Sequence, residues 1–155
     1  SFMKQLYEDM KKFQTYCHKR NIQPWVRLNG TTDIRWELIK IGAYNIFDWF
    51  PEVQFYDYTK IANRKCKDIP NYHLTWSYSN ANPEYAKLLD KALEQGMNAA
   101  VVYRKEYHKP KWQGYPVIDG DQDDLRFLDP KGGHIVALYA KGKAKKDTSG
   151  FVQEV

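Results

Sequence analysis

Val53-Gln54-Phe55-Tyr56-Asp57-Tyr58-Thr59 is a run of β-forming residues set between Pro51 and the charged stretch that begins at Lys60, and it reads as a strand. Upstream, Trp25-Val26-Arg27-Leu28 is a short apolar run that stops at Asn29-Gly30, so it reads as an earlier strand followed by a turn over Gly30-Thr31-Thr32-Asp33. Between the two, Thr32 or Asp33 can cap a helix whose face is Ile34, Leu38 and Ile41, until Gly42 interrupts it. A second helical piece runs from Ile46 to Phe50 and stops at Pro51. Strand, helix and strand in that order predict a right-handed βαβ unit and hence a parallel sheet.

Working outward, Met3, Leu6, Tyr7, Met10, Phe13, Tyr16 and Cys17 fall at helical intervals with lysines between them, which predicts an amphipathic helix over 3–20. Downstream, Tyr72 to Tyr78 reads as a strand, and Asn82, Pro83 and Glu84 open a helix that closes at Gly96. Its apolar face is Tyr85, Leu88, Leu89, Ala92 and Leu93, and Asn98 to Tyr103 follows as a buried strand, giving a second βαβ unit. After Arg104 the helical signals cease, and short strands at Tyr115–Ile118, Leu125–Leu128 and His134–Ala140 are divided by Gly, Pro and Asp turns that suit antiparallel pairing. The fold expected is α/β. Its sheet is mostly parallel, built from consecutive βαβ units in a partial-barrel-like or three-layer arrangement, with a β-rich, antiparallel C-terminal part. One domain is expected over residues 1–155, the βαβ part reaching about 104 and the extension running from about 105 to 155.

The composition supports a folded chain, since 15% aromatic residues is far above what disordered segments carry. No apolar run approaches the roughly 18 residues that span a bilayer, and no signal segment is apparent, so neither membrane insertion nor secretion is expected and a cytoplasmic location is. Cys17 and Cys66 lack CxxC or His-rich surroundings and read as reduced thiols. Ser1-Phe2 ahead of Met3 reads as the remnant of a tag, with Met3 as the native start. The formal net charge of +5 permits attraction to nucleic acid, nucleotides or an acidic partner.

In a parallel sheet, ligands bind beyond the carboxyl ends of the strands, so the loops leaving those ends are the place to look for chemistry. After the first strand come Asn29 to Asp33, after the second Lys60 and Arg64, after the third Ser77, Ser79 and Asn80, and after the fourth Arg104, Lys105, His108 and Lys109. Basic residues among aromatics suit phosphates and stacked bases, because Lys and Arg neutralise the anion while rings offer planar faces. Asp119-Gly120-Asp121-Gln122-Asp123-Asp124 is the densest acid cluster. Asp119 and Asp121 are candidate ligands for a divalent metal, against the commoner reading of a solvated Asp-Gly turn, and Pro130 stands where an EF-hand would need its Glu. Neither a Rossmann nor a P-loop fingerprint is present, so no NAD, FAD or P-loop cofactor is indicated. His73 lies mid-strand and reads as a packed histidine, and Ser77 and Ser79 have no nucleophile-elbow context. Trp36, Trp49 and Trp76 read as core, and Trp112 as core or as a surface anchor.

The stretch Val26 to Asp33, followed by Phe50 to Lys60, resembles phage-encoded proteins of the gene product 88 type, in which an arginine strand ends near a Gly and an Asp and a Pro-x-Val strand closes in Tyr-Thr-Lys. The resemblance covers about residues 25–80. It implies a viral or mobile-element origin and strands arranged as in part of a barrel, with no settled activity to carry over. Relatives of that type tend to have a cysteine-rich segment that could hold metal. This chain has none, so an iron–sulfur reading is not carried over. What the resemblance implies is positional: Arg27, Asn29, Asp33, Tyr58 and Lys60 lie in the shared site. The leading expectation is then a domain that binds a phosphate-bearing ligand or nucleic acid, with catalysis left open. Arg27, Lys60 and Arg64 would contact anionic oxygens, Asn29 and Asp33 would orient the ligand, and Arg104 would add charge. The alternative is a viral accessory or protein-interaction module that engages a protein partner through its aromatic surface and has no enzymatic activity.

Overall fold

Along residues 54–59 the side chains alternate between half-buried and fully buried, with Phe55, Asp57 and Thr59 turned inward, as a strand covered on one face requires. In the computed structural model, which describes residues 1–155, this strand is β2 (Gln54–Thr59) of one eight-stranded sheet. Its companions in chain order are β1 (Trp25–Val26), β3 (Tyr72–Ser77), β4 (Asn98–Tyr103), β5 (Lys111–Trp112), β6 (Tyr115–Asp119), β7 (Ile135–Tyr139) and β8 (Val152–Gln153). The strands lie in the order β1-β2-β3-β4-β7-β6-β5, with β8 paired to β4 off this path. All but β5 run the same way. The α/β, mostly parallel sheet expected from the βαβ pattern is therefore present.

The C-terminal part is not antiparallel as expected. β6 and β7 pair in parallel, and β7 continues the sheet beside β4. The connection over residues 120–134 is long enough to carry the chain back and start β7 from the same end as β6, so its Gly and Asp turns belong to a crossover and not to a hairpin. The one antiparallel pair, β5 with β6, turns at Gln113 and Gly114, whose φ values of 48° and 82° are those of a two-residue hairpin loop.

The helices gather on one face of the sheet. Buried residues of α1 (Phe2–Lys19), α2 (Ile46–Trp49) and α4 (Leu89–Glu94) join Phe55, Leu74, Trp76, Ala99, Val101 and Tyr103 in a single apolar cluster. The Asn82 cap and Gly96 stop are where the sequence puts them, but the helix between divides into α3 (Pro83–Ala86) and α4, leaving Leu88 exposed. The opposite face carries segment 120–134 in place of a third, helical layer. Phe127 packs on the rings of Trp25 and Tyr56, and Arg126 is buried over β3. Residues 125–128, expected as a strand, form a 3-10 turn, because the Arg126 guanidinium donates back to the carbonyls of Gly120 and Asp123 and closes the segment on itself.

The helix expected over residues 34–41 shrinks to a 3-10 turn at Trp36–Leu38. The Asn29 side-chain oxygen accepts from Thr32, from the Ile34 backbone and from the Trp36 indole, and this local network outcompetes helical hydrogen bonding. Trp36 is drawn into the core, while Ile34, Leu38 and Ile41 stay exposed. Trp49, expected in the core, is 47% exposed.

β3 and β4 pair only at Thr75–Ser77 and Asn98–Ala100 and then part. β8 enters the gap, pairing with Val102 and Tyr103, while Asn80 donates its backbone N–H to the Gly150 carbonyl. Gly150 has φ of +104°, and a Cβ there would stand 2.7 Å from the backbone of Asn80 and Ala81. Gly150→Ala is expected to destabilise the fold by at least about 1 kcal/mol in urea unfolding and to speed amide exchange at Val152. A second expectation concerns His73, buried on the face beneath segment 120–134. Burial, reinforced by the charges of Lys131 and Arg126, pulls its imidazole down to about 4. It stays neutral when folded but takes a proton near pH 6.5 when unfolded, so its contribution is complete above 6.5 and is lost as pH falls toward 4, by up to about 3 kcal/mol. His73→Leu should remove that slope from a plot of unfolding free energy against pH.

Candidate functional site: a cleft at the carboxyl ends of β1, β2 and β3

Because β1, β2 and β3 are parallel neighbours, the loops after them leave from one edge, and they border an open cleft of about 360 Å³. Its floor is set from below. Asp57, 1% exposed in the middle of β2, accepts the Asn29 backbone N–H at 2.9 Å on one oxygen and the Tyr72 hydroxyl at 2.7 Å on the other. Burial raises its carboxyl above the ordinary value, and these two hydrogen bonds pull the other way. The loop after β1 is thus tied down at Asn29, whose side chain then shapes residues 32–36 as described above.

Asp33 closes the cleft against β2. Its oxygens accept the Thr59 hydroxyl at 2.7 Å and the Lys60 backbone N–H at 2.8 Å, so both are committed within the chain. Arg64 lies underneath. Its guanidinium makes two hydrogen bonds to Glu37, at 3.1 and 2.5 Å, a third to the Tyr72 hydroxyl, and stands 3.6 Å from Asp33. Burial alone would pull the arginine's pKa down, but the Glu37 carboxylate more than offsets this and holds it above its ordinary value. Glu37, Tyr72 and Asp57, none of them singled out in the sequence, therefore form the support of the site. For Asp57 the signal was available, since its parity with Phe55 and Thr59 already placed a carboxylate on the buried face.

Arg27, Asn29, Asp33, Tyr58 and Lys60 come together around the cleft. The Arg27 guanidinium lies 5.4 Å from the centre of the Tyr58 ring, and Lys60 stands exposed on the rim. The backbone N–H groups of Gly30, Thr31, Thr32 and Asp33 find no acceptor within the chain. Arg64, expected to contact the ligand, does not reach the cleft surface, since its side chain has no exposed surface and turns to Glu37, with Nη1 3.6 Å from Asp33. Arg104 lies away from the cleft. It pairs with Glu154 and donates to the carbonyls of Lys145 and Asp147, clamping the segment that leads into β8. Asp119 and Asp121 border a different cleft, beyond β6 and β7. Asp119 accepts the Asp121 backbone N–H, and Asp121 accepts that of Tyr139 and lies 3.6 Å from Lys141. No group of three or more His, Cys, Asp or Glu side chains is placed to hold a metal ion.

A second compartment, of about 480 Å³, adjoins the first and shares Lys60 and Ser77 with it. Tyr85 and Phe151 line it, and neither was singled out as a site residue; Phe151 could not have been, because its place depends on where β8 inserts.

The family profile described as Gene product 88 matches residues 1–155. The chain belongs to that family. The match extends the resemblance seen over residues 25–80 to the whole chain and is consistent with a phage-type gene product. No curated protein and no solved structure matches it. Within this family member, buried support and exposed rim should separate by mutation. Arg64→Ala strands Glu37 and is expected to lose about 3–5 kcal/mol in urea unfolding. Lys60→Ala, on the rim, should change stability by less than about 0.5 kcal/mol.

Proposed function

We propose that the cleft beyond β1, β2 and β3 binds a phosphate-bearing ligand, either a nucleotide or a nucleic acid strand. The observation that carries this reading is the run of four unpaired backbone N–H groups at Gly30–Asp33 beside the exposed cations Arg27 and Lys60. Successive main-chain donors with a nearby positive charge suit the oxygens of an anion, and charge-assisted hydrogen bonds are the stronger kind. The one acid lining the cleft, Asp33, has both oxygens engaged by Thr59 and Lys60 and stands 3.6 Å from the Arg64 guanidinium, which offsets part of its charge. Binding is the activity these residues support directly.

One observation favours the second reading, a protein-interaction module. Leu38, Ile41, Tyr44 and Trp49 are all at least 40% exposed, and the Tyr44 and Trp49 rings pack edge to face. No helix is long and apolar enough to cross a membrane.

Pyrophosphate and a fluorescent single-stranded oligonucleotide are suitable probes. Arg27→Ala and Lys60→Ala should each weaken binding by about tenfold, and affinity should fall steeply with added salt. Unchanged affinity in both variants, or binding indifferent to salt, would leave the interaction module as the surviving reading.

A further inference from the structure

We infer that the compartment beside the basic cleft takes the planar base of a nucleoside phosphate whose phosphate occupies the cleft. This rests on the phosphate-binding reading and names the ligand class. The two compartments meet at Lys60 and Ser77, so one ligand can lie across both, with its anionic end toward Arg27 and the Gly30–Asp33 donors and its other end toward Tyr85 and Phe151. Each compartment falls within the roughly 300–1,000 Å³ typical of small-molecule sites.

The Tyr85 ring and the backbone that carries Phe151 are held in place before any ligand arrives. The Tyr85 hydroxyl donates to the Ser77 carbonyl at the end of β3, and its ring packs against buried Trp76 with centroids 4.8 Å apart. Phe151 sits between two fixed points. Gly150 accepts the Asn80 backbone N–H, and Val152 is already paired with β4. The Gln153 side chain also donates to the Gly150 and Phe151 carbonyls. Arg104 therefore acts on this site as a positioning residue, since it clamps the segment that brings Phe151 to the edge. A ring fixed as Tyr85 is, and a backbone fixed as that of Phe151 is, lose little freedom on stacking a base.

The polar groups around the rings suit the edge of a heterocycle. The Asn82 side-chain oxygen caps Glu84, which leaves its amide N–H groups available. The Ser79 oxygen accepts the Ala81 N–H and keeps its own proton to donate. A ligand that was anion alone would leave Tyr85 and Phe151 facing nothing. A wholly apolar ligand would have to bury the Lys60 charge that both compartments share.

Calorimetric titrations with adenosine 5′-monophosphate, ribose 5-phosphate and a 5′-phosphorylated single-stranded oligonucleotide test this. The base-bearing ligands should bind about tenfold or more tightly than ribose 5-phosphate. Phe151→Ala and Tyr85→Leu should erase that preference while leaving ribose 5-phosphate affinity unchanged, and Phe151→Trp should keep it. Lys60→Ala should weaken all three ligands together. An oligonucleotide that binds more tightly than the mononucleotide assigns the site to a strand, and equal affinities assign it to the free nucleotide. Equal binding of ribose 5-phosphate and the nucleotide, or a base preference that survives in folded Phe151→Ala and Tyr85→Leu, would overturn the inference and leave the phosphate site standing. Failure of all three to bind would overturn both.

Discussion

A carboxylate at the centre of β2 has to be satisfied without water, and much of the site follows from how Asp57 achieves this. A buried charge left unpaired would cost several kcal/mol. Asp57 instead takes the Asn29 N–H from the neighbouring strand's exit and the Tyr72 hydroxyl from β3. Tyr72 passes the network to Arg64, and Arg64 to Glu37 and Asp33. Residues from two connections, β1 to β2 and β2 to β3, are thereby fixed relative to β2 and β3. Most polar side-chain atoms below the cleft bond one another, Arg64 Nη1 being the exception, and the main-chain donors of Gly30–Asp33 stay unpaired. A division of this kind gives a surface that is rigid and still has hydrogen bonds to offer.

How far the sequence could be read follows the reach of the interactions involved. The run of β-forming residues over 53–59 and the apolar run from Asn98 located β2 and β4, because these signals are local and the sheet preserves them. Five residues of the cleft, Arg27, Asn29, Asp33, Tyr58 and Lys60, were legible because parallel order brings strand exits to one edge. The helix over residues 34–41 failed for a reason no periodicity displays, which is that a single Asn side chain recruits Thr32, Ile34 and Trp36. Arg64 was placed on the right loop but in the wrong depth, since only Glu37, far away in sequence, decides that it turns inward. The direction of β7 and the seat of β8 depend on pairings between distant segments, and Gly, Pro and Asp turns are equally at home in hairpins and crossovers.

Charge is unevenly distributed along the edge. Lys60 and Arg27 stand at the β1–β3 end, the lysines of residues 141–146 follow β7, and the acids from Asp119 to Asp124 follow β6. Burial raises the Tyr58 hydroxyl above its ordinary value and the charges of Asp124 and Asp129 add to this, so negative charge reaches the β1–β3 end as well.

The insertion of β8 between the diverging ends of β3 and β4 also bears on the order of assembly. Until residues 147–153 have been made and have found their place, the gap beside Val102 and Tyr103 stays open, with unpaired main-chain groups at the middle of the sheet. Closing it joins segments about fifty residues apart, as the Arg104 and Glu154 pair illustrates, and contacts of such range are slow to form. A nascent chain that has already formed β1 to β4 therefore still lacks Phe151, which stands opposite Tyr85 at the strand-end edge only once β8 is seated.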